Sequence, residues 1–457
     1  MANGAVGWTK NHGHRSGRRR WILFGTVGLV GALIVPLGVR WWPREAEHRP
    51  VEIVILAGED RSGARKDKID HWNRVHGAKD GWKARLVSLS ASSDEQRVET
   101  AARLTAGEQV DLVVMDVTQT SEFARAGHLR RMTGVDTSGF MAGPLETCRY
   151  EGKLWALPLN TDAGLMFYNR QMLRTLTKRT PQDKSSVEQS LETDSLAATI
   201  GQIASMLNRN DSAQQPVAEA AFAGQFADYE GYTVTMLELL RSQKVQLDGD
   251  AFELDSAVGA VAMDTVTDVL SKGKVLSLDA SDFTEAAATA AFVDERVVLM
   301  RNWPVAYRAL KDEAQDRGQK IEDWVGVAPV KNGVLGGQNI AVTRRSENPE
   351  AAKSLAEFLT GETSQEKLFE KGGFAATRES VYSDSDIRQK YPYADKLLTA
   401  VKDARPRPAT PYYWHFSSVF RQIVQCARAG EGKLPEKTGE LLDRAREGRI
   451  TEFRCEI

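Results

Sequence analysis

Gly152-Lys153-Leu154-Trp155-Ala156-Leu157-Pro158-Leu159-Asn160-Thr161-Asp162-Ala163-Gly164-Leu165-Met166-Phe167-Tyr168-Asn169-Arg170 decides how the rest of the chain is read. It reads as a strand interrupted by Pro158, a polar Asn-Thr-Asp step, and a second apolar strand ending at Tyr168-Asn169. Proline sits in strands only at an edge or a break. The three polar residues hydrogen-bond but do not fill a core. Two structures satisfy the pattern. One is a hairpin with a polar turn; the other is a strand that leaves one sheet and enters another, with polar groups at the crossing. The segment alone leaves both open.

Upstream lies a sheet for the first strand to join. Val51-Glu52-Ile53-Val54-Ile55-Leu56-Ala57-Gly58 has the aliphatic density of a buried strand. Residues 66–76 fit a helix with Ile69, Trp72 and Val75 on one stripe, and residues 82–89 fit a second strand. Residues 94–106 fit a helix with Val98, Ala101, Ala102 and Thr105 on one face, and residues 110–114 a third strand. This alternation predicts a parallel sheet with crossover helices. In such sheets ligands bind beyond the carboxyl ends of the strands. Those ends carry Asp60 after the first strand, and Asp116 and Thr118 after the third. The same acids equally serve as turn or helix caps.

Downstream, residues 171–222 read as helix and loop, with a polar insert near 178–193. Residues 232–240 and 257–270 read as helices, and 292–300 as a buried strand closed by Arg301-Asn302-Trp303-Pro304. Residues 325–330 and 339–342 read as strands around the glycine-rich link 333–337. A helix over 349–359 has Pro349 near its first position. The proline-stiffened run Arg405-Pro-Arg407-Pro-Ala-Thr-Pro-Tyr412 precedes a helix from about Ser417.

The chain has 457 residues, room for two or three domains. A net charge of -2 gives no reason to expect nucleic acid. Residues 21–39 (WILFGTVGLVGALIVPLGV) carry no charge, follow Arg18-Arg19-Arg20 and precede Trp41-Trp42. That pattern predicts a transmembrane signal-anchor with the N-terminus inside and the large domain outside. No small-x-small site follows the run, which disfavours cleavage. Of Cys148, Cys426 and Cys455, one pair is free to form a disulfide outside the membrane, and the sequence does not say which. No CxxC and no Cys/His cluster indicates a metal, and no cofactor is expected.

No enzymatic signature is complete in this sequence. Gly58-x4-Gly63 has P-loop glycine spacing, but Ala64-Arg65 stand where Lys-Ser/Thr must hold phosphate and magnesium. There is no G-x-S-x-G, H-E-x-x-H or G-x-G-x-x-G motif. Carboxylates are plentiful, but no local pattern promotes one pair to glycoside hydrolysis. Catalysis is not expected.

Several segments then fall into one order. They are Asp111-Leu-Val-Val-Met-Asp116-Val-Thr-Gln-Thr120 with Glu122-Phe123, and residues 152–169. Tyr229-Glu230-Gly231 and Val298-Leu-Met-Arg-Asn302-Trp303-Pro304 follow. Then come Val327-Ala-Pro329, Gly336-Gly337-Gln338-Asn339, the helix from Asn348-Pro349 to Gln365, and 405–412. This order resembles the extracellular solute-binding proteins of ABC importers, specifically the large group-1 class that binds sugars such as maltose and trehalose. The resemblance covers nearly the whole ectodomain, and it favours the sheet crossing over the hairpin.

The resemblance implies an α/β, two-lobed, periplasmic-binding-protein-like (type II) fold with hinge strands behind one N-terminal transmembrane helix. The expected organisation is a basic tail (1–20), anchor (21–40), linker (41–50), N-terminal lobe (51–159 and 293–342) and C-terminal lobe (160–292 and 343–457). It implies that Asp116, Asn160, Asp162, Glu230, Trp303, Gly337 and Arg407 line a cleft, acids and amides taking sugar hydroxyls. Arg407 would supply fixed donors and Trp303 a flat apolar face. Where relatives often carry tryptophan, this chain has Gln119 and Gln338, and Gln338 joins the candidate ligand contacts. Expected partners are a saccharide, ABC permease subunits and the membrane, with the protein monomeric. The alternative is a membrane-tethered ligand sensor or accessory protein with a degenerate cleft.

Overall fold

The computed structural model describes residues 51–455 apart from 91, 181–186, 188–189, 192–194, 211–215, 249–250 and 277–282. The basic tail, the run 21–39, the linker and most of the polar insert lie outside the described residues. No described helix is long and apolar enough to cross a membrane.

Thirteen strands form among the described residues: β1 (Val51–Gly58), β2 (Trp82–Leu89), β3 (Leu112–Asp116), β4 (Arg149–Tyr150), β5 (Lys153–Leu154), β6 (Leu157–Ala163), β7 (Leu165–Asn169), β8 (Ala220–Ala223), β9 (Leu247–Asp248), β10 (Ala251–Phe252), β11 (Val297–Asn302), β12 (Val325–Pro329) and β13 (Leu335–Val342). The first large sheet has the order β2-β1-β3-β13-β6 and the second β12-β7-β11-β8. β1, β2 and β3 are parallel as expected, while β13 runs antiparallel to both β3 and β6. β1 is buried from Ile53 onward because helices cover both faces of its sheet.

Two helical stripes turn out differently from their apolar patterns. Val75 and Val98 are exposed. The Ser93–Ala106 helix turns Thr100 and Leu104 inward instead, with Gln96 packed on Gly58, a stripe of i, i+4, i+8 spacing. Alanine-rich sequence also misled one boundary. The Glu285–Val293 helix runs through Phe292, and β11 begins only after a turn with Glu295 at φ 57°.

The decisive stretch spans both sheets. β6 lies at an edge, where Pro158 costs no ladder bond from a central strand, and it runs unbroken through Asn160-Thr161-Asp162. The crossing falls at Gly164, after which β7 enters the second sheet. A second crossing joins β12 to β13. Gly336 and Gly337, expected in a link, lie inside β13 opposite Asp162 and Thr161.

These crossings redraw the expected lobes. β11 and β12 belong to the second sheet, so of the strands within 293–342 only β13 joins the first. The Pro349–Thr360 helix and Leu368 pack into the first sheet's core with Ile53 and Ile340. Val381, Leu397 and Phe420 share the second sheet's core with Phe167 and Leu299. Lobe assignment follows sheet partners, which sequence order does not show.

Candidate ligand-binding cleft

Three strands of the first sheet set one wall of the site. Asp116 at the end of β3 is in register with Gln338 on β13, and Gln338 with Asn160 on β6. Residues distant in sequence thus become lateral neighbours. The Asp116 side chain accepts hydrogen bonds from Thr118 N (2.9 Å) and Thr118 Oγ1 (2.7 Å), so it caps the following turn as well as facing the other lobe.

From the second lobe come Glu230, opening the Glu230–Arg241 helix, and Tyr413 and Ser417 on the Tyr413–Ala429 helix. Arg407 joins the two sides. Its Nη2 donates to Asp116 Oδ1 (2.9 Å) and Oδ2 (3.2 Å), and its Nη1 to Glu230 Oε1 (2.7 Å). Tyr413 Oη donates to Glu230 Oε1 (2.6 Å) and Ser417 Oγ to Glu230 Oε2 (2.7 Å). The guanidinium is 3% exposed, so burial opposes its charge; Asp116, Tyr413 and Glu230 outweigh burial and raise its pKa.

A second group surrounds Asp162, whose carboxyl is pushed up to about 7 by burial and by Asp116, against Arg65 and Arg301. Its hydrogen-bond partner is Asn160 Nδ2 at 3.3 Å. Asn160 Oδ1 and Arg407 Nε are buried without a hydrogen-bond partner in the protein. Gly337 has φ 123°, and a Cβ there would lie 2.4 Å from Asn160 O, so only glycine lets β13 approach β6 here. Trp303 packs its edge over Gly336 and donates from Nε1 to Glu285 Oε1 (3.3 Å). The Arg301 guanidinium covers one ring face at 3.9 Å, so no sugar ring stacks on that side.

Asp60 is turned to its own loop, accepting from Ser62 N (2.9 Å) and Arg65 N (2.8 Å). Its capping role brings in Arg65, which the sequence showed only as a failed P-loop position. Arg65 donates to Gln338 Oε1 and lies 4.5 Å from the Phe374 ring centre. Burial lowers its pKa to about 10, with Asp60 and Asp162 opposing.

The sequence also missed Tyr413, Trp414 and Ser417. The helix starts at Tyr413, not near Ser417, so its first-turn aromatics read as loop. Trp414 stands between Arg97 of the first lobe (5.0 Å) and Arg421 of the second (5.7 Å). Beside it Asp94 is pushed up to about 6, by burial first and Glu230 second. Trp414, Gln119, Asp116 and Glu230 line a half-open cavity of about 20 Å³. That is room for one water, so a larger solute enters only if the lobes part.

Cys426 and Cys455 form the disulfide, with Cα atoms 5.8 Å apart, and Cys148 is a buried thiol whose pKa burial raises.

Two mixed α/β lobes are joined by strands that cross beside a polar cleft. The chain belongs to the bacterial extracellular solute-binding protein family, whose model matches residues 77–394. It is 24% identical to a probable ABC transporter-binding protein of Deinococcus radiodurans over 363 residues, 76% of this chain and 80% of that one. Maltose-bound MalE3 of T. maritima matches with TM-score 0.70 and 23% identity, over 87% of this chain and 99% of that one. The GacH receptor of Streptomyces glaucescens, solved unliganded and with acarbose, matches with TM-score 0.71 and 19% identity, over 87% and 98%. A Thermotoga lettingae solute-binding protein bound to α-D-tagatose matches with TM-score 0.68 and 20% identity, over 87% and 98%. These likenesses establish the two-lobed fold. The family is one of substrate-binding proteins, not enzymes.

Proposed function

We propose that this protein captures a carbohydrate outside the cytoplasm, between its lobes, for delivery to an ABC importer. The observation that carries the reading is the Asp116–Arg407–Glu230 bridge, which sets donors and acceptors from both lobes around one cleft. Asn160 Oδ1 offers an unmet acceptor and Arg407 Nε an unmet donor, the complement of a hydroxyl that both donates and accepts. Asp116, Thr118, Asn160, Asp162, Glu230, Trp303, Gln338 and Arg407 are the proposed contacts, with Gly337 shaping the wall; Asp60 acts through Arg65. Solved proteins of the same fold hold maltose, acarbose and tagatose. The apolar run 21–39 supports retention at the membrane, with the lobes outside.

The test is a thermal-shift screen of the full chain against mono- and disaccharides. A ligand at 100 times its Kd adds about 2.7 kcal/mol to native stability, a readily measured rise in Tm. Gln119 and Gln338 in place of aromatics favour a small polar sugar over maltose. No shift across the panel would sink the carbohydrate reading, and turnover of a glycoside would replace it with an enzyme.

A further inference from the structure

A broad concavity on the described surface lies away from the cleft. It holds about 730 Å³ on the first lobe and is bordered by Arg130, Arg131, Trp155, Arg344, Glu350 and Lys353. Four cations thus meet one carboxylate on a chain whose net charge is -2.

The backbone beneath them is fixed. Arg130 N donates to Val342 O (2.9 Å), Arg344 N to His128 O (2.7 Å) and Met132 N to Leu154 O (2.9 Å). Two of the cationic side chains are anchored without losing their charge to an acid. Lys353 Nζ donates to Thr133 O (2.7 Å) and Arg130 Nη2 to Ser346 O (3.3 Å). Arg131 lies over the Trp155 ring at 5.6 Å. No ion pair among the described residues takes up Arg130, Arg131, Arg344 or Lys353. Like charges lining one concavity repel, and an anion seated among them relieves that repulsion.

The position separates this concavity from the cleft. Asp116 and Gln338 lie at the cleft end of β3 and β13, while Val342, which lines the concavity, is paired with Leu112 at the other end. Guanidinium forks match phosphate oxygens in pairs, and Lys353 adds a point charge.

We propose that this concavity is a second ligand site, taking a phosphate ester. Two sources carry that chemistry: a soluble phosphorylated solute, or the headgroup of an anionic phospholipid. The site is independent of the sugar reading, and its loss leaves the cleft untouched.

Calorimetric titration of the full chain with glycerol 3-phosphate tests it. Binding is expected to weaken several-fold as salt rises, because exposed charges are screened beyond about 8–10 Å. The double variant R131E/R344E is expected to bind at least about tenfold more weakly, having exchanged two phosphate forks for two carboxylates. Glu350→Gln removes the one opposing charge and is expected to tighten binding. Both changes are on exposed side chains, and neither is expected to alter the response to sugars. Repeating the titration with vesicles of phosphatidylcholine, alone or with phosphatidylglycerol, separates the sources. Weakening by phosphatidylglycerol alone identifies the headgroup; no weakening identifies the soluble ester. Absence of binding to the wild-type chain, or equal binding by it and both variants, overturns the proposal.

Discussion

At the scale of single residues, Asp162 makes the sharpest claim. Its carboxyl titrates near 7, against about 3.9 in an unfolded chain. Between those values the folded protein holds a proton that the unfolded one has released. Stability therefore falls as pH rises through that window, the reverse of a salt-bridged aspartate. Asp162→Asn keeps the shape and removes the titration. Its stability is expected to match wild type near pH 4 and to exceed it above pH 7 by up to about 4 kcal/mol, ~1.4 kcal/mol for each pH unit of that window, seen as a higher Tm. Thermal unfolding across pH checks this; a constant offset would mean that Asp162 does not change protonation. Trp414 carries a second prediction at this scale. Its ring lines the cleft beside Gln119, so Trp414→Ala should weaken binding of whichever sugar the screen identifies by roughly 1–3 kcal/mol, within the range of an aromatic hot spot. Binding equal to wild type would make the tryptophan a surface contact. The acids at strand ends were legible in sequence because strand termini are local. Trp414 was not, because four residues of error in a helix start hid its surroundings.

At the scale of elements, the hinge is held by a buried charge pair. Arg301 on β11 and Glu238 on the Glu230–Arg241 helix are both fully buried and doubly bonded, at 2.7 and 2.8 Å. Gln225 Oε1 accepts from Arg301 Nη1 (3.1 Å), and Val334 N donates to Glu238 Oε1 (3.1 Å) just before β13. The same carboxylate leaves no room at the other crossing, where a Cβ on Gly164 would lie 2.3 Å from Glu238 Oε1. One acid therefore touches both strand crossings. Removing it strands Arg301 in the interior, so Glu238→Ala should cost about 3–5 kcal/mol. Gly164→Ala should cost about 1–3 kcal/mol by overpacking, with the Glu238 contact disturbed. Urea unfolding measures both; a midpoint equal to wild type for Gly164→Ala would show that the crossing relaxes freely. Pro158 and the polar step left hairpin and crossing equally open, and only the ordered resemblance to solute-binding proteins favoured the crossing. Its location at Gly164 was not readable, because nothing local announces which carboxylate packs against a glycine. The same limit hid the return of 349–372 to the first lobe, since an amphipathic helix reveals a buried face but not the sheet it covers.

At the scale of the whole molecule, Arg407 bonds carboxylates on both lobes at once. The cavity beside it is too small for a sugar, so the lobes must part for loading, and the bridge must break or swing with one side. A ligand that engages the same groups then closes the lobes again, shifting a population that already exists. Arg407→Ala should leave the fold intact and open the molecule in the absence of ligand. A compact chain of this length has a radius of gyration of ~22 Å, and hinge opening should raise it on the order of 1 Å. Small-angle scattering of wild type and variant, each with and without the sugar found in the screen, reads this directly. The expected order is compact liganded wild type, then unliganded wild type, with the variant largest and unresponsive to sugar. Superimposable curves for unliganded wild type and variant would show that the bridge decorates the closed form without holding it. Response of the variant to sugar would move the principal ligand contacts away from Arg407, toward Asp162 and Asn160 on the opposite wall.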